Sequence, residues 1–291
     1  MRSKRLLYTI LIHLFVLGAW AQDWAWWPLG LTHDPLQGDT LYYSAELLGV
    51  ASSGQYAPFW IQSNRHGNIS ASPYSANLSA GIYKPATQPQ RWFDYDFALQ
   101  LTGRVQNLSP APFAPYQQRW TGYFNRLYAH LRLYCIDITA GIQPIVYESV
   151  DPLLSSGSMI FSGNSQPLPR VTIGIEQYIP FPGCYGYMEI KGGLTHAWMA
   201  DNVYIQGGYL HHKFLGLRFG GQLPVNLSYE FHHAAEWGGI SPVYGDVGSD
   251  FRSFLNVLMA KGGGTMANDQ NNAQGNHVGS QQLALTAKGN G

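Results

Sequence analysis

The segment 93–105 constrains this chain more than any other. Its odd positions read Phe93, Tyr95, Phe97, Leu99, Leu101, Gly103 and Val105, and its even positions Asp94, Asp96, Ala98, Gln100, Thr102 and Arg104. Successive side chains of a strand point to opposite faces, so this segment as a strand is apolar on one side and polar on the other. It is also longer than the roughly 9–11 residues with which a tilted strand crosses a bilayer. An apolar face of that length needs either a protein interior or lipid against it.

The same pattern returns downstream. Leu127, Ala129, Leu131 and Leu133 oppose Tyr128, His130 and Arg132; past Cys135 the phase reverses, with Ile136, Ile138, Ala140 and Ile142 opposing Asp137, Thr139, Gly141 and Gln143. A one-residue change of phase is the product of a tight hairpin at Tyr134-Cys135, and it puts Arg132 and Asp137 on one polar side. Fainter alternations at 41–52, 75–84, 171–178, 185–194, 209–222, 225–236, 251–261 and 279–289 bring the expected strands to about eleven.

The polar stripes hold mainly Ser, Thr, Gln, Asn and Gly, with scattered charges at Glu46, Arg104, Arg132, Asp137, Glu176, Glu230 and Lys288. A soluble sandwich would show water many Lys and Glu there. Here charged residues are 12% of the chain, about half the usual share, while aromatics reach 14%. Only helices and closed barrels satisfy every backbone polar group inside lipid, and no apolar run after Trp20 approaches the roughly 20 residues of a spanning helix. The reading is all-β: a transmembrane antiparallel β-barrel of the outer-membrane type, partial, with about ten or eleven strands in residues 41–291. Loops at 53–74, 107–118, 148–170, 196–208 and 238–250 alternate with short turns such as 222–224, and 262–279 reads as a further loop.

Residues 1–21 read as a cleavable secretory signal. Arg2, Lys4 and Arg5 precede an apolar stretch that ends in Ala19-Trp20-Ala21, and cleavage after Ala21 leaves Gln22 first, followed by an N-terminal segment 22–40. Removing those three cations leaves 14 of 17 Lys and Arg against 17 Asp and Glu, so no basic excess points to nucleic acid. The expected location is the bacterial outer membrane. An oxidising compartment permits a bridge between Cys135 and Cys184 but does not require one.

Several ordered motifs carry a resemblance. Ala57-Pro58-Phe59-Trp60-Ile61-Gln62-Ser63-Asn64-Arg65-His66-Gly67 follows Tyr43-Ser44-Ala45-Glu46. Pro169-Arg170, Lys191-Gly192-Gly193-Leu194-Thr195-His196 and Leu210-His211-His212-Lys213 come next. The most distinctive is His232-His233-Ala234-Ala235-Glu236-Trp237-Gly238-Gly239 with Ser241-Pro242. Together they resemble the Wzi-type capsule assembly proteins, from about Tyr42 onward. The resemblance implies an outer-membrane β-barrel lectin, eighteen-stranded in the family, that holds capsular or other surface polysaccharide and has no catalytic activity. This chain is too short for eighteen strands, so a C-terminally truncated member is expected, and the family's periplasmic helical bundle is not apparent in it. The expected partners are polysaccharide and outer-membrane lipid, with no cofactor, and the chain is expected to be a monomer. The alternative is a porin-like channel for sugars or small solutes.

Candidate polysaccharide contacts are Trp60, Asn64, Arg65, Arg104, Arg132, Arg218 and Trp237. Trp60 with Asn64 and Arg65 sets an aromatic beside donors in a rigid turn; a structural, plug-like role is favoured for it. Arg104, Arg132 and Arg218 offer guanidinium forks to uronic acids, against the favoured reading of internal ion pairs such as Arg132–Asp137. Trp237 stacks on a sugar or, the favoured reading, anchors an aromatic girdle. The doublets His211-His212 and His232-His233 point each histidine of a pair to opposite faces. One from each, His211 and His232, with Glu230 or Glu236 nearby, is a weak zinc candidate, and hydrogen-bonded histidines are favoured over it. Asp94 and Asp96 share a strand face. No G-x-S-x-G is present, and Gly262–Gly264 lacks the Lys-Ser/Thr of a phosphate loop, so no enzyme is expected.

Overall fold

The computed structural model describes residues 12–13, 41–86, 92–107, 119–144, 158, 160–202, 204–264, 266 and 270–288. The elements are β1 (Ile12–His13), β2 (Tyr42–Ala51), α1 (Phe59–Gln62), β3 (Tyr74–Lys84), β4 (Phe93–Gln106), β5 (Trp120–Leu133), β6 (Ile136–Ile142), β7 (Pro169–Pro180), β8 (Met188–Trp198), β9 (Tyr209–Phe219), β10 (Val225–Trp237), β11 (Ile240–Ser241), β12 (Gly245–Asp246), α2 (Phe251–Leu258) and β13 (Asn276–Ala287). Of the expected signal segment only Ile12–His13 is described, paired with Leu48 and Gly49. The cleavage site and 22–40 lie outside the described residues, as do 108–118 of the expected loop 107–118 and 148–157 of the loop 148–170.

The chain is mostly antiparallel sheet. One eleven-stranded sheet runs in the order β1-β2-β3-β4-β5-β6-β7-β8-β9-β10-β13, and β11 pairs with β12 apart from it. No pairing joins β1 to β13 among the described residues. Each strand therefore lies beside its neighbour in sequence, as a meander does. Among the described residues no helix is long and apolar enough to cross a membrane.

Ten of the expected segments are strands, and the reversal at Tyr134-Cys135 is present, with Tyr134 in the left-handed region at φ 54. The eleventh, 251–261, is a correction. Phe251–Leu258 is a helix, capped by the Asp250 carboxylate, which accepts from the Ser253 amide at 2.7 Å. Phe251, Phe254, Leu255 and Leu258 recur at the 3,4 spacing of a helix face, and Asp before an apolar run is a start signal. The same residues also alternate loosely, and only the cap decides between the two periods.

Two compact units divide the chain. The first is Met1–Pro89 with Tyr95–Ala129 and Ile142–Pro167; the second is Gln90–Asp94 with His130–Gly141 and Leu168–Gly291.

Candidate functional site

Along the strands the usual arrangement of polar and apolar side chains is inverted. Leu78 is 62% exposed, Leu101 51% and Leu285 71%, whereas Thr102 is 0% exposed, Asp137 1% and His232 2%. Leucines outside and charges inside are what each strand's alternation dictates once its polar stripe is the buried one.

In the first unit the segment between β2 and β3 folds back over the polar face. Ala57, Ile61 and Ile69 pack on Leu48 and Val50, the apolar residues that β2 carries on that face. Arg104 of β4 holds the segment down. Its guanidinium donates to the Gly67 carbonyl, to Asn77 Oδ1 at 3.1 Å and to the Tyr123 hydroxyl at 2.6 Å. The chain turns sharply here, with Asn64, His66 and Gly67 all at positive φ. A Cβ at Gly67 would come within 2.8 Å of the Gln166 amide nitrogen, so glycine is needed. The His66 amide donates to the Gly163 carbonyl at 2.6 Å, and the Asn64 amide to Asn164 Oδ1 at 3.0 Å. His66 is buried. Desolvation, with the Arg126 guanidinium adding to it, pushes its imidazole from 6.5 down to about 4.

In the second unit the polar face is filled by its own side chains. Lys191 of β8 and Glu230 of β10 both lie opposite Gly216 of the strand between them. A Cβ at Gly216 would sit 2.8 Å from Lys191 Cγ, so only glycine lets the lysine cross β9 and meet Glu230 Oε1 at 2.8 Å. The Tyr178 hydroxyl donates to the same oxygen at 3.0 Å. His232 Nε2 lies 3.3 Å from Glu230 Oε2, and its Nδ1 is 3.3 Å from His212 Nε2, the two rings stacked at 5.5 Å. Towards the β9–β10 turn, Arg218 pairs with Glu189 at 2.5 Å, its guanidinium 4.3 Å over the Tyr178 ring. Near the β5–β6 turn, Asp137 accepts from Arg132 at 2.7 Å and from the Glu176 amide at 3.1 Å, with His130 Nε2 at 2.9 Å. The Arg132–Asp137 pair is buried and the Arg218–Glu189 pair half-buried, and both arginines are already engaged.

The apolar face of the second unit changes character along its length. Leu215, Phe219, Leu227 and Leu285 are bare, but at the far end the same face carries His196, His211, Lys213 and His233. There α2 lies on the sheet. Val257, fully buried, packs with Ala235 and Trp237, and Phe254 sets its ring 6.1 Å from His196 and 5.9 Å from His211. Lys213 Nζ donates to the Leu258 carbonyl, a cation at the negative end of the helix.

The predicted site residues thus scatter. Trp60 is 71% exposed and Arg65 is exposed on the folded-back segment, beside Asn64. Arg104 anchors that segment, while Arg132 and Arg218 are ion-paired. Trp237 is a correction to both readings made of it. It is 7% exposed, with Tyr209 at 5.0 Å and Phe254 at 5.8 Å, so its ring faces are taken and it meets neither lipid nor a stacked sugar. His211 and His232 fall on opposite faces, facing Ala235 and Phe214 across the ladder, and cannot share one ion. Among the described residues no group of three His, Cys, Asp or Glu could hold a metal. Cys135 and Cys184 are free thiols. Sequence reasoning missed His277, whose Nδ1 lies 2.9 Å from His233 Nε2, and the Lys191–Glu230 pair, which only the strand register reveals.

The glycines after Trp237 now have a reason. Gly238 and Gly239 have φ 69 and 90, and a Cβ would meet the Tyr209 ring at 2.8 Å and the Gln206 carbonyl at 2.6 Å. They let loop 199–208 close against the start of β11, where Gln206 and Ile240 exchange backbone bonds. The architecture defines a class: an antiparallel meander with polar groups buried on one face and bare apolar side chains on the other. The chain matches no family model, no curated protein and no solved structure.

Proposed function

We propose that the chain is part of an outer-membrane β-barrel, of the Wzi type that its motifs resemble, which holds capsular or related polysaccharide at the cell surface without catalysis. A cleavable signal exports it. The observation that carries the reading is the inverted sheet. An exposed row such as Leu78, Leu101, Leu194, Leu215 and Leu285 is costly in water and matched to hydrocarbon, while the buried row is a lumen's. The connections support it. In strand order the longer ones, 52–73, 107–119, 143–168, 199–208 and 238–275, alternate with the shorter 85–92, 134–135, 181–187 and 220–224. In a meander that alternation gathers all the long loops at one end and the turns at the other, as in barrels with an elaborate outer rim. Because Arg132 and Arg218 are ion-paired and Arg104 is bonded within the chain, recognition of the polymer falls to the loops.

The test compares cells carrying and lacking the gene for retention of their own capsule. Deletion is expected to release most of the polysaccharide into the medium; unchanged retention overturns the reading. A porin-like channel instead predicts steady single-channel current in planar bilayers, where the binder should pass little.

A further inference from the structure

We propose that α2 is a membrane-contacting helix whose outer flank, Phe251, Leu255 and Met259, lies against lipid acyl chains; this goes beyond the polysaccharide reading and rests on the chain's being an outer-membrane barrel. The helix then carries the sheet's apolar surface across a polar patch that lipid could not cover.

The patch lies on the apolar face of the second unit. On β8 and β9 the bare Leu194 and Leu215 are followed, two or four residues along the same face, by His196, Lys213 and His211, and β10 adds His233 beside Lys213. Ionisable groups are costly against hydrocarbon. Here α2 takes the place of lipid, with Phe254 over His196 and His211, Val257 on Ala235 and Trp237, and the Leu258 carbonyl accepting from Lys213.

A helix that covers a sheet in water turns one apolar stripe, little more than about 100° wide, to the core and a polar back to the solvent. The circumference of α2 is divided differently. At about 100° per residue, Val257, Phe254, Leu258, Phe251, Leu255 and Met259 occupy about 200°, and Arg252, Asn256 and Ser253 the rest. The sheet takes only the first part of that arc. Phe251, Leu255 and the C-cap residue Met259, spaced four apart and so on one flank, are 73%, 42% and 61% exposed. An apolar arc of that width suits a helix with sheet on one side and hydrocarbon on the other. Continuity names the occupant: the flank continues the face on which Leu194 and Leu215 are bare, and whatever lies against those leucines meets α2 next.

The experiment places nitroxide labels on the full chain in phospholipid vesicles, one thiol at a time, at Phe251→Cys, Leu255→Cys and Met259→Cys, with Cys135→Ser and Cys184→Ser throughout. Oxygen concentrates in hydrocarbon and a nickel chelate stays in water, so the ratio of the two relaxation effects reads what surrounds each label. Leu215→Cys gives the reference for the sheet's bare face, and Tyr185→Cys, on the exposed turn 181–187, the reference for water. The ratio at the three α2 positions is expected to match that at 215 and to exceed that at 185 several-fold. Water-like ratios on α2 with a hydrocarbon-like ratio at 215 overturn the helix contact and leave the barrel reading standing. Exclusion of both reagents from the flank also overturns it, because a protein partner or a second copy then covers α2. A water-like ratio at 215 overturns the barrel reading itself, and the helix contact with it.

Discussion

Both units cover part of their sheet with a folded-back piece of chain, but on opposite faces. In the first, the segment with α1 lies on the polar face, over Leu48 and Val50. In the second, α2 lies on the apolar face, over His196 and His211. The difference teaches what a cover is for. Each sits where a face breaks its own rule: apolar residues on a polar side, or histidines and a lysine on an apolar one. Where the polar face of the second unit keeps its rule, no described segment lies over it, and it is knitted by Lys191, Glu230 and Tyr178 across Gly216.

That contrast breaks first at the self-filled face. Lys191→Met leaves Glu230 buried without its cation, and removing one partner of a buried pair costs about 3–5 kcal/mol. Urea midpoints of the chain reconstituted in lipid vesicles should fall accordingly, and Lys191→Met with Glu230→Gln should recover most of the loss. A fall below about 1 kcal/mol would show that this face does not depend on the pair.

The sheet was legible in the sequence because period-2 alternation is a local property, and the phase flip between Leu133 and Ile136 announced its hairpin. Faces were legible as well: the split of His211 from His212 follows from alternation alone. Partners across strands were not. Lys191 meets Glu230 through a register of two ladders and a glycine between them, and nothing within either segment encodes that meeting. The covers were hidden for a related reason. Trp237 ends a strand, and reading it as a rim residue was reasonable until α2, mistaken for a strand, took its place against the ring.

The first unit's cover carries its own pH test. Burial and Arg126 favour the neutral imidazole of His66 in the fold, so its affinity for a proton is lower folded than unfolded. Its contribution is complete above about pH 6.5 and is lost as pH falls from there to about 4, where the unfolded segment takes up a proton that the folded one refuses. The loss is about 3 kcal/mol over that window. Hydrogen exchange across residues 57–70, corrected for intrinsic rates, should rise steeply between pH 6.5 and 4.5. His66→Asn keeps a residue that tolerates φ 49 but does not titrate, and should flatten the rise. An equally steep rise in that variant would place the acid sensitivity elsewhere.

The smallest effect separates the covers by how each helix begins. The four-residue α1 starts after Pro58 with no side-chain cap and is held by its buried Ile61. The eight-residue α2 starts at Asp250, whose exposed carboxylate accepts from the Ser253 amide; those bonds hold its carboxyl below the usual range. Asp250→Ala removes the acceptor and leaves Phe254 and Val257 packed, so the helix should fray only at its first turn. Amide exchange at Phe251–Phe254 should rise several-fold while Val257 stays protected, and Asp250→Asn should restore most of the protection. If the alanine variant also unprotects Val257, then capping and not packing holds α2 on the sheet, and the two covers differ in kind as well as in side.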